Sequence, residues 1–189
     1  MHNNMKKILF LIVVVVGFSW KTGLAQYRPV DQGSTVKFTI QNFGFDVNGS
    51  FSGLHGNISF DPQNLANAHF DVDIDANTIN TDNSLRDNHL RDVSYFDVKK
   101  YPRIQISSAK ISPADKKGEF LFTGKLTIKS TTKDISFPFE AVPAGDGYVF
   151  KGSFKINRRD FQVGGTSTIS NSLEVQLNIV TQKGTSTAK

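Results

Sequence analysis

From Ser34 onward the chain alternates apolar and polar residues with a period of two, the spacing of a strand with one buried face. STVKFTI (34–40) sets Val36, Phe38 and Ile40 against Thr35, Lys37 and Thr39. HFDVDID (69–75) sets Phe70, Val72 and Ile74 against three aspartates. The same alternation runs through 103–111, 119–129, 133–141, 148–156 and 172–180. With the glycine-containing segment 47–60, that makes about eight strands, each half buried as in an antiparallel sheet. Turn residues separate them, at Asp61-Pro62, Ser112-Pro113-Ala114-Asp115, Ser130-Thr131-Thr132 and Pro143-Ala144-Gly145-Asp146-Gly147. The glycines of 49–56 predict a bend in the second strand, and Pro138 predicts an edge or bulge in the sixth. Eight short-spaced antiparallel strands fit a closed barrel or a sandwich.

One window breaks the pattern. NSLRDNHLRDVSYFD (83–97) has helical spacing, with Asn83 or Ser84 as N-cap. Asp82 with Arg86, and Asp87 with Arg91, are acid-first pairs four residues apart, the favourable orientation on a helix. Leu85, His89, Val93 and Phe96 fall on one side. The spacing therefore predicts a helix over about 83–93 that lays an apolar stripe on the sheet and turns its charges to water. The same charges would also serve as a rim whose arginines meet a polar head group.

The first residues follow a different rule. Lys6 and Lys7 precede an apolar run over 8–16, and small residues end in Gly23-Leu24-Ala25. That is the layout of a secretory signal peptide cleaved near Ala25; an uncleaved anchor is the alternative. The run is shorter than the ~20 residues a bilayer span requires. Loss of 1–25 removes Lys6, Lys7 and Lys21 and no acid, so 22 basic residues become 19 against 17 acidic ones and the net charge falls from +5 to +2. The remaining domain then has no strong electrostatic case for nucleic acid. Three parts result: a signal peptide at 1–25, a barrel domain at 26–182 and a polar tail at 183–189.

The chain has no cysteine, which excludes thiol catalysis, thiolate metal sites and lipoprotein anchoring. After 25, His55, His69 and His89 lie in no metal-binding spacing, and no Gly-x-Ser-x-Gly elbow is present. A catalytic triad assembled from distant positions stays open on sequence alone. No metal, cofactor or catalytic residue is assigned, and the chain is read as a non-enzyme.

Five motifs in order carry a family resemblance: GSFSG (49–53) with FDP (60–62), RDNHLRDVSYFD (86–97), YP (101–102), GKLTIKSTTK (124–133) and INRRDFQVGG (156–165). On these the chain resembles the YceI-like family, lipocalin-like proteins that bind polyisoprenoids and related lipids. It departs from the family pattern at Asp92, Ser94 and Tyr95, and at Ser130 and Gln162, where the family has glycine. The resemblance implies an all-β fold, an extended eight-stranded antiparallel barrel with the helix near one end, enclosing an apolar tunnel. It also implies a possible homodimer.

Phenylalanine is abundant, 16 of 189 residues. Phe38, Phe51, Phe70, Phe122, Phe137, Phe139, Phe150 and Phe154 are the expected tunnel lining. Arg86, His89, Arg91 and Arg158 are the expected mouth, with internal ion pairing as their rival role. An eight-stranded barrel is just wide enough to be filled by side chains or to hold one slim ligand. The expectation is a periplasmic or secreted carrier of a long-chain amphiphile such as an isoprenoid quinone, polyprenyl lipid or fatty-acid derivative. The alternatives are a structural or interaction protein with a solid barrel, or an enzyme acting on such lipids.

Overall fold

The computed structural model describes residues 25–184. All but the last residue of the 1–25 signal-peptide reading, and most of the polar tail, therefore lie outside the described residues. Eight strands follow one another around a closed barrel: β1 (Gln26–Asn42), β2 (Phe45–Ser59), β3 (His69–Asn80), β4 (Arg103–Pro113), β5 (Glu119–Ile128), β6 (Thr131–Ala144), β7 (Gly147–Asn157) and β8 (Ile169–Lys183). Every neighbour is antiparallel, and β1 pairs with β8 to close the ring. Closure leaves no continuous open edge, which removes the usual route to strand-on-strand association.

The strands exceed their alternating cores, most of all β1, whose first half alternates over 26–29 and then runs exposed through Asp31, Gln32 and Gly33. The predicted bend in β2 is real. Its register against β3 shifts between Ser50 and Ser52 and again before His55. Gly56, at φ +123, passes so close to Asp71 that a Cβ would lie 2.1 Å from that residue's carbonyl oxygen. The register of β1 against β2 breaks between Tyr27 and Val36. In that break the Asp31 carboxylate accepts from the backbone N–H groups of Gly53 (3.1 Å) and Leu54 (3.0 Å). Pro138 also behaves as expected: the β6–β7 ladder runs from Ala144 only as far as Phe139, so the proline begins a stretch of β6 that β7 does not pair.

The two ends of the barrel are built from different connections. At one end lie the links 60–68, 114–118 and 145–146, together with the start of β1 and the end of β8. At the other end lie the tight β1–β2 and β5–β6 turns, the β7–β8 loop with a 3-10 turn at Arg158–Phe161, and the long β3–β4 link. That link contains α1 (Ser84–Arg91), two residues shorter at its C-terminal end than the spacing predicts. Asn83 is its N-cap, its side chain accepting from the Arg86 N–H at 3.0 Å.

The orientation of α1 corrects the expectation of an apolar stripe on the sheet. Leu85 is 81% exposed and Val93 71%, and His89 also faces water. The face turned inward carries Arg86, Asp87 and Leu90, with Asp87 buried. The expected pairs of Asp82 with Arg86 and Asp87 with Arg91 are not formed. The reason lies in β3. Its ladder with β4 ends at Asp75 with Arg103, so the rest of the β3 edge has no strand beside it. Arg91 donates to the carbonyls of Asn77 (2.8 Å) and Ile79 (2.8 Å), and Arg86 to that of Thr81 (2.7 Å). Buried or half-buried carbonyls need donors, and the arginines stand in for the missing strand. The helix thus lies on a row of acceptors rather than on an apolar surface.

Candidate functional site: a cavity closed at one end

An internal cavity of about 240 Å³ runs along the barrel axis. Its lining on β2 extends from Val47 to Ile58, which at ~3.3 Å per residue and a strand tilt of ~40° spans roughly 28 Å of height. A volume of that size over that depth is a narrow bore. Its walls are almost wholly apolar, with Phe122, Phe137, Phe139 and Phe150 buried and Ile40, Leu173 and Val175 half exposed.

All eight tunnel phenylalanines named from the sequence line this cavity. Phe137 stacks between Phe122 and Phe154, with ring centroids 5.0 and 4.6 Å away. Phe38 packs on Phe51 at 5.7 Å, and Phe51 on Phe96 from the helix link at 5.6 Å. Phe38 lies flat against its cross-strand partner Gly49, where a Cβ would sit 2.3 Å from the ring. A larger residue there would push the ring into the bore.

The bore does not run end to end. Tyr27, Phe60, Phe120 and Tyr148 do not line it; they fill the end where the chain enters β1. Phe60 is 1% exposed and meets Phe120, Tyr148 and Phe150 edge-on at 5.1–5.3 Å. Such edge-to-face pairs are favourable beyond the area they bury. Phe70, Phe139 and Phe150 touch this cluster from the cavity side and form its floor. Burial, with Tyr148 nearby, holds the Tyr27 phenol above its usual pKa.

The opposite end carries the polar groups. Of the four expected mouth residues, Arg86 and Arg158 line the cavity; His89 and Arg91 do not. His89 is exposed, packs against Tyr95 (4.9 Å) and lies 3.9 Å from the Asp92 carboxylate. Arg91 is spent on β3 and on the Asn88 side chain.

Arg158 differs from the expectation of a free mouth cation. It is 6% exposed, and its guanidinium donates to the carbonyls of Val163, Gly165, Ile169 and Ser170 at 2.9–3.2 Å. It clamps the β7–β8 loop around itself and has no carboxylate partner among the described residues. Burial first, and then neighbouring Arg159, lower its pKa. The rival expectation of internal ion pairing is not met for Arg158 either.

Arg86 is the more accessible cation. Its Nε donates to the Thr81 hydroxyl at 2.7 Å, and that hydroxyl donates to buried Asp87 at 2.5 Å. The Thr81 N–H also donates to Asp87, at 2.9 Å. Asp87 therefore compensates Arg86 through Thr81 rather than by direct contact. The Nη1 donors of Arg86 have no protein acceptor among the described residues. Thr81 and Tyr95 also line the bore; Tyr95 stands out in the sequence only as a departure within the charged motif, and Thr81 only by its place just before it.

Among the described residues no cluster of His, Cys, Asp or Glu has the arrangement of a metal site, and no helix is long and apolar enough to cross a membrane.

The profile described as "YceI-like domain" matches residues 27–181. A UPF0312 protein of Photorhabdus laumondii is 33% identical over 167 residues, covering 82% of this chain and 85% of its own. Among solved structures, BcnA of Burkholderia cenocepacia superposes with a TM-score of 0.75 at 23% identity, over 80% of this chain and 98% of its own. A polyisoprenoid binding domain from Saccharophagus degradans, implicated in plant cell wall breakdown, superposes with a TM-score of 0.67 at 16% identity, over 86% of this chain and all of its own. The last two likenesses establish the barrel fold.

Proposed function

Since the chain belongs to the YceI-like domain family, we propose that it is an exported, non-catalytic carrier that holds the tail of one long-chain amphiphile in the barrel. The ligand class is an isoprenoid or acyl chain with a hydrogen-bond-accepting head. The observation that carries this reading is the bore itself: narrow, apolar over most of its wall, closed by an aromatic floor and polar at one end. The fold shared with a polyisoprenoid binding domain supports it. The layout of residues 1–25 supports export to the periplasm or beyond.

In this reading the tail lies among Phe38, Phe51, Phe122, Phe137 and Phe154 and stops at Phe70, Phe139 and Phe150. Each buried methylene contributes ~0.8 kcal/mol, so a ten-carbon stretch contributes about 8 kcal/mol before losses. Lost motion of ligand and protein offsets several kcal/mol of this, which leaves room for binding without any reactive group. Apolar contacts discriminate weakly per methylene, so the bore selects length and width more than tail identity. The head sits beside Arg86 and Thr81, where the Nη1 donors face an acceptor such as a carboxylate, phosphate, amide or quinone oxygen. Arg158 contributes positive potential from behind its ring of carbonyls.

The test is uptake of a fluorescent long-chain fatty acid, alongside native mass spectrometry of protein purified from its own compartment. Phe137→Asp and Phe150→Asp place a carboxylate in the bore and abolish uptake. Phe137→Leu, which keeps the site apolar and the fold intact, retains it. Uptake unchanged in a folded Phe137→Asp protein, together with purified protein that never carries a lipid mass, contradicts the carrier reading and favours the solid barrel.

A further inference from the structure

The end of the barrel that holds the cavity mouth also holds most of the exposed apolar side chains. Among the described residues, Phe43 is 72% exposed, Phe45 76%, Leu85 81% and Val93 71%. All four belong to connections or strand ends at that end, whereas Val142 on β6, toward the closed end, is only 42% exposed. Phe43 and Phe45 flank Gly44 at the tip of the β1–β2 hairpin. Ser50 of β2 pairs with Asn80, the last residue of β3, so this tip reaches well beyond the end of β3.

The tip is costly. Phe43 at φ +52 and Gly44 at φ +81 make a two-residue turn with both centres left-handed, a geometry that favours Asn-Gly. Phenylalanine there bears backbone strain and recovers none of it by burial. The non-glycine residues with left-handed φ, Phe43, Asp82, Asp97, Lys129 and Gln162, all lie in the connections at this end. The closed end uses Gly118 and Gly145 instead. Of these only Phe43 is a bulky side chain left exposed in that conformation, so the strain that burial does not offset lies at the hairpin tip.

We propose that this rim docks on the surface of a phospholipid bilayer, with Phe43, Phe45, Leu85 and Val93 entering the interface so that the cavity mouth faces lipid. The inference rests on the carrier reading, because a long apolar chain passes between bilayer and bore without crossing water only if the mouth meets the membrane. The four side chains expose on the order of 500–600 Å², at the upper end of the apolar surface an ordinary monomer leaves in one place. That patch, with aromatic residues at its tip, fits a shallow interfacial anchor. Charge narrows the surface further. Lys99, Lys100, Lys129 and Arg159 at this end are interspersed with Asp46, Asp82, Asp92 and Asp160. The rim is not polybasic, so docking depends on apolar burial and is indifferent to anionic lipid and to salt.

Flotation with phosphatidylcholine vesicles tests this, using the barrel from Gln26 on. Its eight strands pair only with one another, and omitting 1–25 removes an apolar segment that would bind lipid by itself. The protein floats equally at ~0.1 M and ~1 M salt. Phe43→Ser with Phe45→Ser lowers the floated fraction about tenfold, Leu85→Ser with Val93→Ser lowers it less, and Val142→Ser leaves it unchanged. Absence of flotation, equal flotation of all variants, or flotation confined to phosphatidylglycerol vesicles at low salt overturns the proposal. So does sedimentation showing a dimer that the Phe43 and Phe45 changes dissolve. Uptake of a detergent-solubilised fluorescent fatty acid is measured in parallel. Variants that keep this uptake but no longer float isolate the docking face, whereas wild-type protein that floats without uptake removes the carrier reading and leaves docking standing.

Discussion

The two ends of this barrel solve the same closure problem in opposite ways. At the end where β1 begins, Tyr27, Phe60, Phe120 and Tyr148 mesh edge to face and leave no space. At the other end two ladders stop early, β3–β4 at Asp75 and β6–β7 at Phe139. There a helix and a loop fill the wall, fastened by arginine-to-carbonyl hydrogen bonds. The first end is held by apolar area and the second by directional bonds around an empty axis. Stability and access are thereby separated: the aromatic plug can be tight because nothing passes it, and the open end can be polar because its arginines have fixed structural partners.

That contrast is broken most severely at Phe60. Phe60→Ala removes the centre of the plug and should cost about 3–5 kcal/mol in urea unfolding. In the folded fraction the mouth residues keep their places and ligand uptake persists. Loss of uptake with little loss of stability would reverse the roles assigned to the two ends.

At the other end, Arg158→Met leaves four carbonyls of the β7–β8 loop without their donor. The expected cost is on the order of 2–4 kcal/mol. Hydrogen exchange should show the loss of protection concentrated in 158–170 rather than in the plug. Arg91→Ala is milder, about 1–2 kcal/mol, because it frees only two β3 carbonyls and that of exposed Asn77 regains water. Its signature is faster exchange across α1 and the end of β3, with β1 and β8 unchanged.

The smallest effect separates the ends by pH. Tyr27 has a pKa raised by burial, so the folded state disfavours its phenolate. The resulting stability is fully present below the unfolded tyrosine value of ~10 and is lost as pH rises through the higher folded value. Tyr27→Phe should therefore show a weaker decline in stability above pH ~10 than the parent protein. An identical alkaline decline in both would place that titration elsewhere.

How much of this the sequence made legible depends on what each side chain faces. Strands with water on one side and neighbours on the other alternate, and seven of the eight strands follow from that; the bent β2 with Phe51 rests on its glycines and flanking residues, and the tunnel on the family resemblance. Strand ends do not alternate, so β1 and β3 are longer than their patterns. The helix is misread for a physical reason. Amphipathic reasoning assumes that the inner surface is apolar, but here it is a row of β3 carbonyls, so Arg86 and Arg91 turn inward and Leu85 and Val93 outward. Arg158 is misread likewise: nothing local reveals that a guanidinium will be enclosed by its own loop. Gln162 is a partial exception. It stands where the resembled pattern has glycine, and its φ of +57 shows why glycine suits that place.

The central claim is a bore open at one end and blind at the other. Isothermal titration with straight-chain fatty acids of increasing length tests it most directly. The account predicts one-to-one binding whose affinity rises with each methylene until the tail meets Phe70, Phe139 and Phe150, then levels off or falls. Affinity that keeps rising past the length of the barrel would mean a through-tunnel, and no binding at any length would mean that the axis is closed to ligand.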